Sequence, residues 1–420
     1  MIPGAVDAWC QLNQDFGTLS LSELLKPAIN YAVGGYPIGS RVAFDFASEK
    51  DLVIANENLK KVFMSRGRIP SVGEMHHQPE LAESLKKITK YGRDAFYAGE
   101  IAEDIVSYLQ SKGGLHTLED FKKYSGLYVS PISTEFRGYT VHECPPNGQG
   151  IIALMLINMM SNISPGDLQK NSLEHYHLEI EAAKLAYNER DLYLADPLHS
   201  NVPESHLLSS QHAKNLMERI DPEKAAVGFS KVDSPSHSDT VYISVIDKDR
   251  NCCSFINTLF GGFGSGLMAP KSGVILTNRG QGFVLDPAHP NCIAPNKRPM
   301  HTIIPGLVSK DKKVVMSFGV MGGHYQAFGH MSLLTRFLDY DMDIQESQDS
   351  PRLFPDPESR LLEVESGIPK DIVDGLRAKG HILESASKPI GGSQAIWIDW
   401  DQGILTAGSD PRKDGCAIGY

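Results

Sequence analysis

A threonine follows an aspartate directly, Asp239–Thr240, where a polar loop (Ser234, Pro235, Ser236, His237, Ser238) gives way to a strand-like alternation. Val241, Ile243 and Val245 alternate with Tyr242, Ser244 and Ile246, so Thr240 is expected to be the first residue of a strand. A threonine hydroxyl is a weak nucleophile until a base takes its proton, and the nearest base it can acquire is its own α-amine. That amine exists only once the preceding peptide bond is cut. When free it titrates at about 7.7–8.0, well placed to accept a proton near neutrality. Asp239–Thr240 is therefore a candidate self-cleavage bond, although the same arrangement also describes an ordinary strand start.

Other chemistries find less support. The run "GGFGSG" (Gly261 to Gly266) fits neither phosphate-cradling glycine pattern, and Ser265 lacks the flanking glycines of a nucleophile elbow. His175 and His177 in "HYH" are a weak metal suggestion: on a helix they fall on different faces, which favours solvent or packing roles. The six cysteines (Cys10, Cys144, Cys252, Cys253, Cys292, Cys416) have neither zinc spacing nor the density of a disulfide framework. Neither a metal nor a cofactor is expected.

The elements that would position Thr240 divide the chain. Up to about Ser234 the text is mostly helical. Leu21, Leu24, Leu25, Ala28, Ile29 and Ala32 keep helical spacing, with Pro27 as a boundary or kink. Ile101, Ile105 and Leu109 repeat that spacing, Ile151 to Met160 forms an apolar helix, and Leu173 to Asn188 carries a stripe of Leu178, Ala182, Leu185 and Ala186. After Asp239 strand-like runs dominate: "TVYISVID", "NCCSFINT", "GVILTN", "VVMSFGV", "QAIWIDW" and "GILTAG". Two domains or interleaved layers of one α/β sandwich both satisfy this pattern. At 420 residues, 41% hydrophobic and 22% charged, the composition is that of a globular protein. The net charge of −11 argues against binding nucleic acid or anionic lipid by counterion release. No apolar run is long enough to span a bilayer, and "MIPGAVDAWC" shows no secretory pattern, so the chain reads as cytoplasmic as written.

"DTVYISVIDKDRN", "NTLFGGFGSG", "APNKRPMHTIIPG", "SFGVMGG", "GGSQAIWID" and "GSDPRKDGCAIGY" resemble the gamma-glutamyltransferase family in the same order. Earlier, "GGLHTLEDFKKY", "FRGYTV", "PPNGQG" and "RDLYLADP" look like that family's large subunit, so the resemblance spans the chain. It implies an α/β fold, the four-layer αββα sandwich of N-terminal-nucleophile hydrolases. It also implies self-cleavage into a large subunit, 1–239, and a small subunit, 240–420, that stay together as one interleaved domain, with a higher oligomer possible. Thr240 would be the nucleophile, Thr258 the second threonine that hydrogen-bonds it and its amine, and Gly322 and Gly323 the oxyanion-hole pair.

The departures from the family pattern concern the donor pocket. Phe260 stands where the family has an asparagine that contacts the glutamyl group. Gly282, in "NRGQGF", stands where an acidic residue grips the substrate ammonium. His301 and Thr302 replace the serines that hold its carboxylate. The family's N-terminal segment, with a carboxylate-binding arginine, has no counterpart in these residues. A buried ammonium without a carboxylate partner costs several kcal/mol, so Gly282→Asp is expected to favour gamma-glutamyl over glutaryl donors. Arg279 is expected either to grip a dicarboxylic acyl group or to serve as a structural ion-pair partner. Three readings follow: a gamma-glutamyltransferase-like hydrolase or transferase acting on a glutathione-type amide, with water or an amine as acceptor; an acylase on the same scaffold; or a chain that never matures.

Overall fold

The structure is a computed structural model, and it describes residues 1–226 and 239–420. The Ser234–Ser238 loop of the sequence reading lies outside the described residues; of Asp239, the backbone is described. The chain divides into two compact units, one of residues 1–128 with 259–279, the other of 129–258 with 280–420. Each unit draws on chain from both sides of the Asp239–Thr240 bond.

The smaller unit is helical. Its helices include α1 (Leu21–Gly34), α2 (Pro79–Tyr91) and α3 (Glu100–Ser111). Ser20 and Glu23 cap α1 reciprocally: Ser20 Oγ accepts from the Glu23 N–H, and Glu23 Oε2 accepts from the Ser20 N–H. Pro27 does not end the helix; α1 runs through it. An interior proline costs about 3 kcal/mol, and packing of α1 along α2 opposes that cost. The second chain segment threads the helices: Ala269 and Leu276 join a core with Ile101, Ile105 and Phe121, while Phe263 and Met268 join Leu59 and Phe63. "GVILTN" is accordingly not a strand. Only a single Met268–Ile275 bridge forms, because Leu276 buries itself among helices rather than in a ladder.

In the larger unit, β1 (Ile132–Phe136) and β2 (Tyr139–Glu143) lead to α4 (Gly150–Met160) and α5 (Leu173–Tyr193). Then come β3 (Asp239–Ile246) and β4 (Cys252–Phe260), whose last two residues belong to the smaller unit, followed by β5 (Gly306–Lys310) and β6 (Lys313–Met321). α6 (Tyr325–Asp339), α7 (Lys370–Ala378), β7 (Gly392–Asp399) and β8 (Ile404–Ser409) complete the main elements. Six strands form an antiparallel sheet in the order β8-β7-β6-β5-β2-β1. Every residue of α4 is buried, as expected of a helix apolar on all sides, and it packs between α6, α5 and the sheet. β3 and β4 form a separate two-stranded sheet, with β3 packed on β6 and β7. The turn between them is built by Asp247, whose carboxylate accepts from the Asp249 and Asn251 N–H groups at 2.9 and 2.8 Å. Among the described residues no helix is long and apolar enough to cross a membrane.

Candidate active site

β3 is polarised in an unusual sense. Val241, Ile243 and Val245 face outward and are exposed, whereas Thr240 and Tyr242 are buried. The inward face therefore presents hydroxyls to the six-stranded sheet. Tyr242 lies over Gly319 of β6, where a Cβ would come within 2.3 Å of its ring; that is why the "SFGVMGG" run needs a glycine there. The Tyr242 hydroxyl is 2.9 Å from Ser254 Oγ, and Ser244 Oγ donates to Ser317 Oγ at 2.7 Å. Ser244 over Ser317 and Tyr242 over Gly319 define a two-residue progression.

Thr240 Oγ1 is 3.3 Å from Thr258 Oγ1 on β4, and either hydroxyl can donate. Thr240 is buried, 8% exposed. Gly322 and Gly323 have φ of +125° and +57°, and a Cβ on Gly322 would meet Gly391 Cα at 2.8 Å. The turn opens directly into α6, whose N-terminal dipole favours negative charge.

Three side chains outside the glycine pair hold this turn. Gln149 is fully buried, and its Nε2 donates to Gly323 O at 2.8 Å and to Thr302 O at 2.9 Å. Tyr187 Oη donates to His324 O at 2.5 Å. The His324 ring lies between Arg190 Nη1, 2.7 Å from Nδ1, and Glu358 Oε1, 2.7 Å from Nε2. A guanidinium only donates. Nδ1 must therefore accept, and Nε2 must carry the proton that points at Glu358, which fixes a neutral tautomer beside the glycine turn.

Burial, reinforced by Asp356 and Asp191 and opposed by Arg190, pushes the Glu358 carboxyl up to about 8. A folded-state pKa above the unfolded value of about 4.5 means that the folded chain holds this proton more tightly. Its contribution to stability is complete below about pH 4.5 and is lost as pH rises through about 8. Glu358→Gln should therefore flatten the fall of Tm across that window, as read by scanning calorimetry at successive pH values. A Tm profile identical to that of the parent would remove Glu358 as its source.

The remaining sequence-derived residues divide between the two units. Phe260 and Arg279 belong to the smaller one, where the Arg279 guanidinium stacks 4.0 Å from the Phe260 ring centre. Both are buried, Phe260 has a φ of +84°, and burial lowers the Arg279 pKa. In the larger unit, His301 pairs with the "PPNGQG" loop through backbone: its N–H donates to Asn147 O at 2.9 Å, and its carbonyl accepts from the Gln149 N–H at 2.8 Å. Thr302 is buried beside it. A Cβ on Gly282 would sit 2.7 Å from Met300 O, and Asn291 Nδ2 donates to Gly282 O at 2.6 Å. Close backbone approach is thus a sufficient reason for glycine here. An aspartate at 282 would strain the loop whatever it did for an ammonium, so Gly282→Asp cannot isolate donor recognition. All six cysteines are free thiols. Among the described residues, His177, Glu181 and His381 are the side chains spaced to hold a metal ion.

The gamma-glutamyltranspeptidase family signature matches residues 1–420. The glutathione hydrolase-like YwrD proenzyme of Bacillus subtilis (strain 168) is 36% identical, over all of this chain and 80% of its own. The glutathione hydrolase proenzyme of Escherichia coli (strain K12) is 32% identical, over all of this chain and 75% of its own. Among solved structures, the cephalosporin acylase from Bacillus halodurans superposes with a TM-score of 0.92 at 35% identity, over all of this chain and 78% of its own. The chain belongs to the gamma-glutamyltranspeptidase family and has its N-terminal-nucleophile hydrolase fold. Its relatives include proteins named as a glutathione hydrolase and as a cephalosporin acylase.

Proposed function

We propose that this chain is a self-processing threonine amide hydrolase. The observation that supports it is the Thr240–Thr258 hydroxyl pair, 3.3 Å apart, at the buried start of β3. In processing, Thr240 Oγ attacks the Asp239 carbonyl carbon, the Asp239–Thr240 C–N bond breaks, and the released amine takes the hydroxyl proton. Water then hydrolyses the ester to leave a carboxylate on Asp239 and a free α-amine on Thr240. In turnover that amine is the base, Thr258 orients the hydroxyl, and the Gly322 and Gly323 N–H groups receive the oxyanion. The substrate amide gives an acyl-enzyme that water, or an amine acceptor, resolves. No cofactor is required.

A gamma-glutamyl amide of glutathione type is the first reading of the donor, in keeping with the two glutathione hydrolase relatives. The second is a dicarboxylic acyl group such as glutaryl. It is favoured by Arg279, a buried guanidinium stacked on Phe260, because a guanidinium keeps its proton even when buried and pairs well with a carboxylate. Mass spectrometry and steady-state kinetics with gamma-glutamyl and glutaryl anilides test both readings. A fragment beginning at Thr240 is expected; a single uncut chain after prolonged incubation would mean that it does not mature. On the second reading, Arg279→Ala lowers glutaryl kcat/KM at least tenfold more than gamma-glutamyl kcat/KM, given about 1.5–3 kcal/mol for a hydrogen bond to a charged group. An equal loss on both donors would leave Arg279 a structural role.

A further inference from the structure

We propose that His177, Glu181 and His381 form a binding site for a divalent cation of the zinc class, separate from the hydroxyl pair at Thr240. One donor atom from each lies within 4.8 Å of the others, and all three side chains are buried. The fold delivers them rigidly. His177 and Glu181 are four residues apart on α5 and share a face. His381 follows α7 through Gly380, whose φ is +98°, and its N–H is tied back to Leu376 O at 3.1 Å.

The His177 tautomer suits metal binding. His177 Nε2 is 2.9 Å from Asp221 O, which can only accept, so Nε2 carries the hydrogen and Nδ1 is turned inward. A remote ring N–H held by a backbone carbonyl is the usual support of a metal-ligating histidine. His177 Nδ1 is 2.8 Å from His381 Nε2 and accepts its proton, so His381 must carry its hydrogen on Nδ1 instead when Nε2 takes an ion. An ion bound at about 2.0–2.1 Å from each nitrogen would widen that gap by roughly half an ångström. Glu181 is held as well: Lys184 Nζ is 2.7 Å from Oε1, and the Ala226 N–H donates to Oε2 at 2.9 Å.

Lys184 also decides which ion fits. Because it already offsets part of the Glu181 charge, binding leans on the two imidazoles more than on the carboxylate. That selects a nitrogen-seeking ion over calcium or magnesium, which depend on oxygen charge. A bound ion would tie α5 and the end of α7 to residues 221–226, through Asp221 O and the Ala226 N–H.

The test is titration of chelator-treated full-length protein with Zn2+, and with Co2+ as a spectroscopic probe. The expected result is one Zn2+ per chain, visible d–d absorption of low-coordinate Co2+ without a thiolate charge-transfer band, and a Tm raised by Zn2+ but not by Mg2+ or Ca2+. His381→Gln should weaken Zn2+ binding at least about 100-fold and abolish the Tm response, while His206→Gln, at the separate His206–His212 ring pair, should do neither. Should His381→Gln fail to fold, Glu181→Gln and the parent Co2+ spectrum decide. No Zn2+ uptake by the parent protein, a thiolate or octahedral Co2+ spectrum, or unchanged affinity in a folded His381→Gln or Glu181→Gln protein overturns the proposal.

Discussion

Thr240→Ala should remain a single 420-residue chain and lose amide hydrolysis by a factor on the order of 10^6, the scale lost when a hydrolase is stripped of its nucleophile. Both processing and turnover use the same oxygen, so no second route restores either. The variant should still fold. Among the described residues, what it loses is one 3.3 Å hydroxyl contact, worth about 1 kcal/mol, while Tyr242 and Ser244 still dock β3 on β6. Thr240→Ser keeps the hydroxyl but not the methyl that restricts χ1; it should process more slowly and then turn over. A denaturing gel with intact-mass analysis reads the outcome. Two fragments of normal mass from the alanine variant would remove Thr240 from the cleavage chemistry.

The strand start at Thr240 was legible because its signal is local: a polar loop that gives way to an alternating run. The polarity of the run was not, because alternation gives two faces without saying which is inside. Here the Val241, Ile243 and Val245 face is outside, since Tyr242 and Ser244 opposite it find a partner in Ser317. Of the two readings of Pro27, the boundary fails, because a local helix cost was weighed without the neighbouring helix; "GVILTN" misled because a short apolar run reads alike for a strand and for a loop buried among helices. Gln149, His324 and Glu358 were missed for a different reason. "PPNGQG" marked a loop, and the residue after "MGG" was visible. That Gln149 donates to Gly323 O, or that Glu358 reaches His324, depends on long-range folding that no spacing encodes. "HYH" was half informative: His175 pairs with Glu179 along the helix, whereas His177 meets a histidine 204 residues away.

Gly323→Ala should lower kcat by about 10^2–10^3 while leaving KM within a few fold, the signature of a lost oxyanion donor. Gly323 has a φ of +57°, and an alanine in that left-handed region costs about 1–2 kcal/mol. The protein has two ways to relieve the strain. It can hold the turn, through Gln149 on Gly323 O and Tyr187 on His324 O, and accept the stability cost, or it can let the peptide rotate and misdirect the N–H. The second costs catalysis, because oxyanion donors must lie about 2.7–3.1 Å from the developing oxyanion. Strain alone is controlled by Gly67→Ala: φ there is +76°, and a Cβ would meet nothing within 4 Å. Both variants should lose a similar few degrees of Tm, and only Gly323→Ala should lose turnover. If the two match in kcat as well as in Tm, the Gly322–Gly323 turn is a bend in the chain and the oxyanion is stabilised elsewhere.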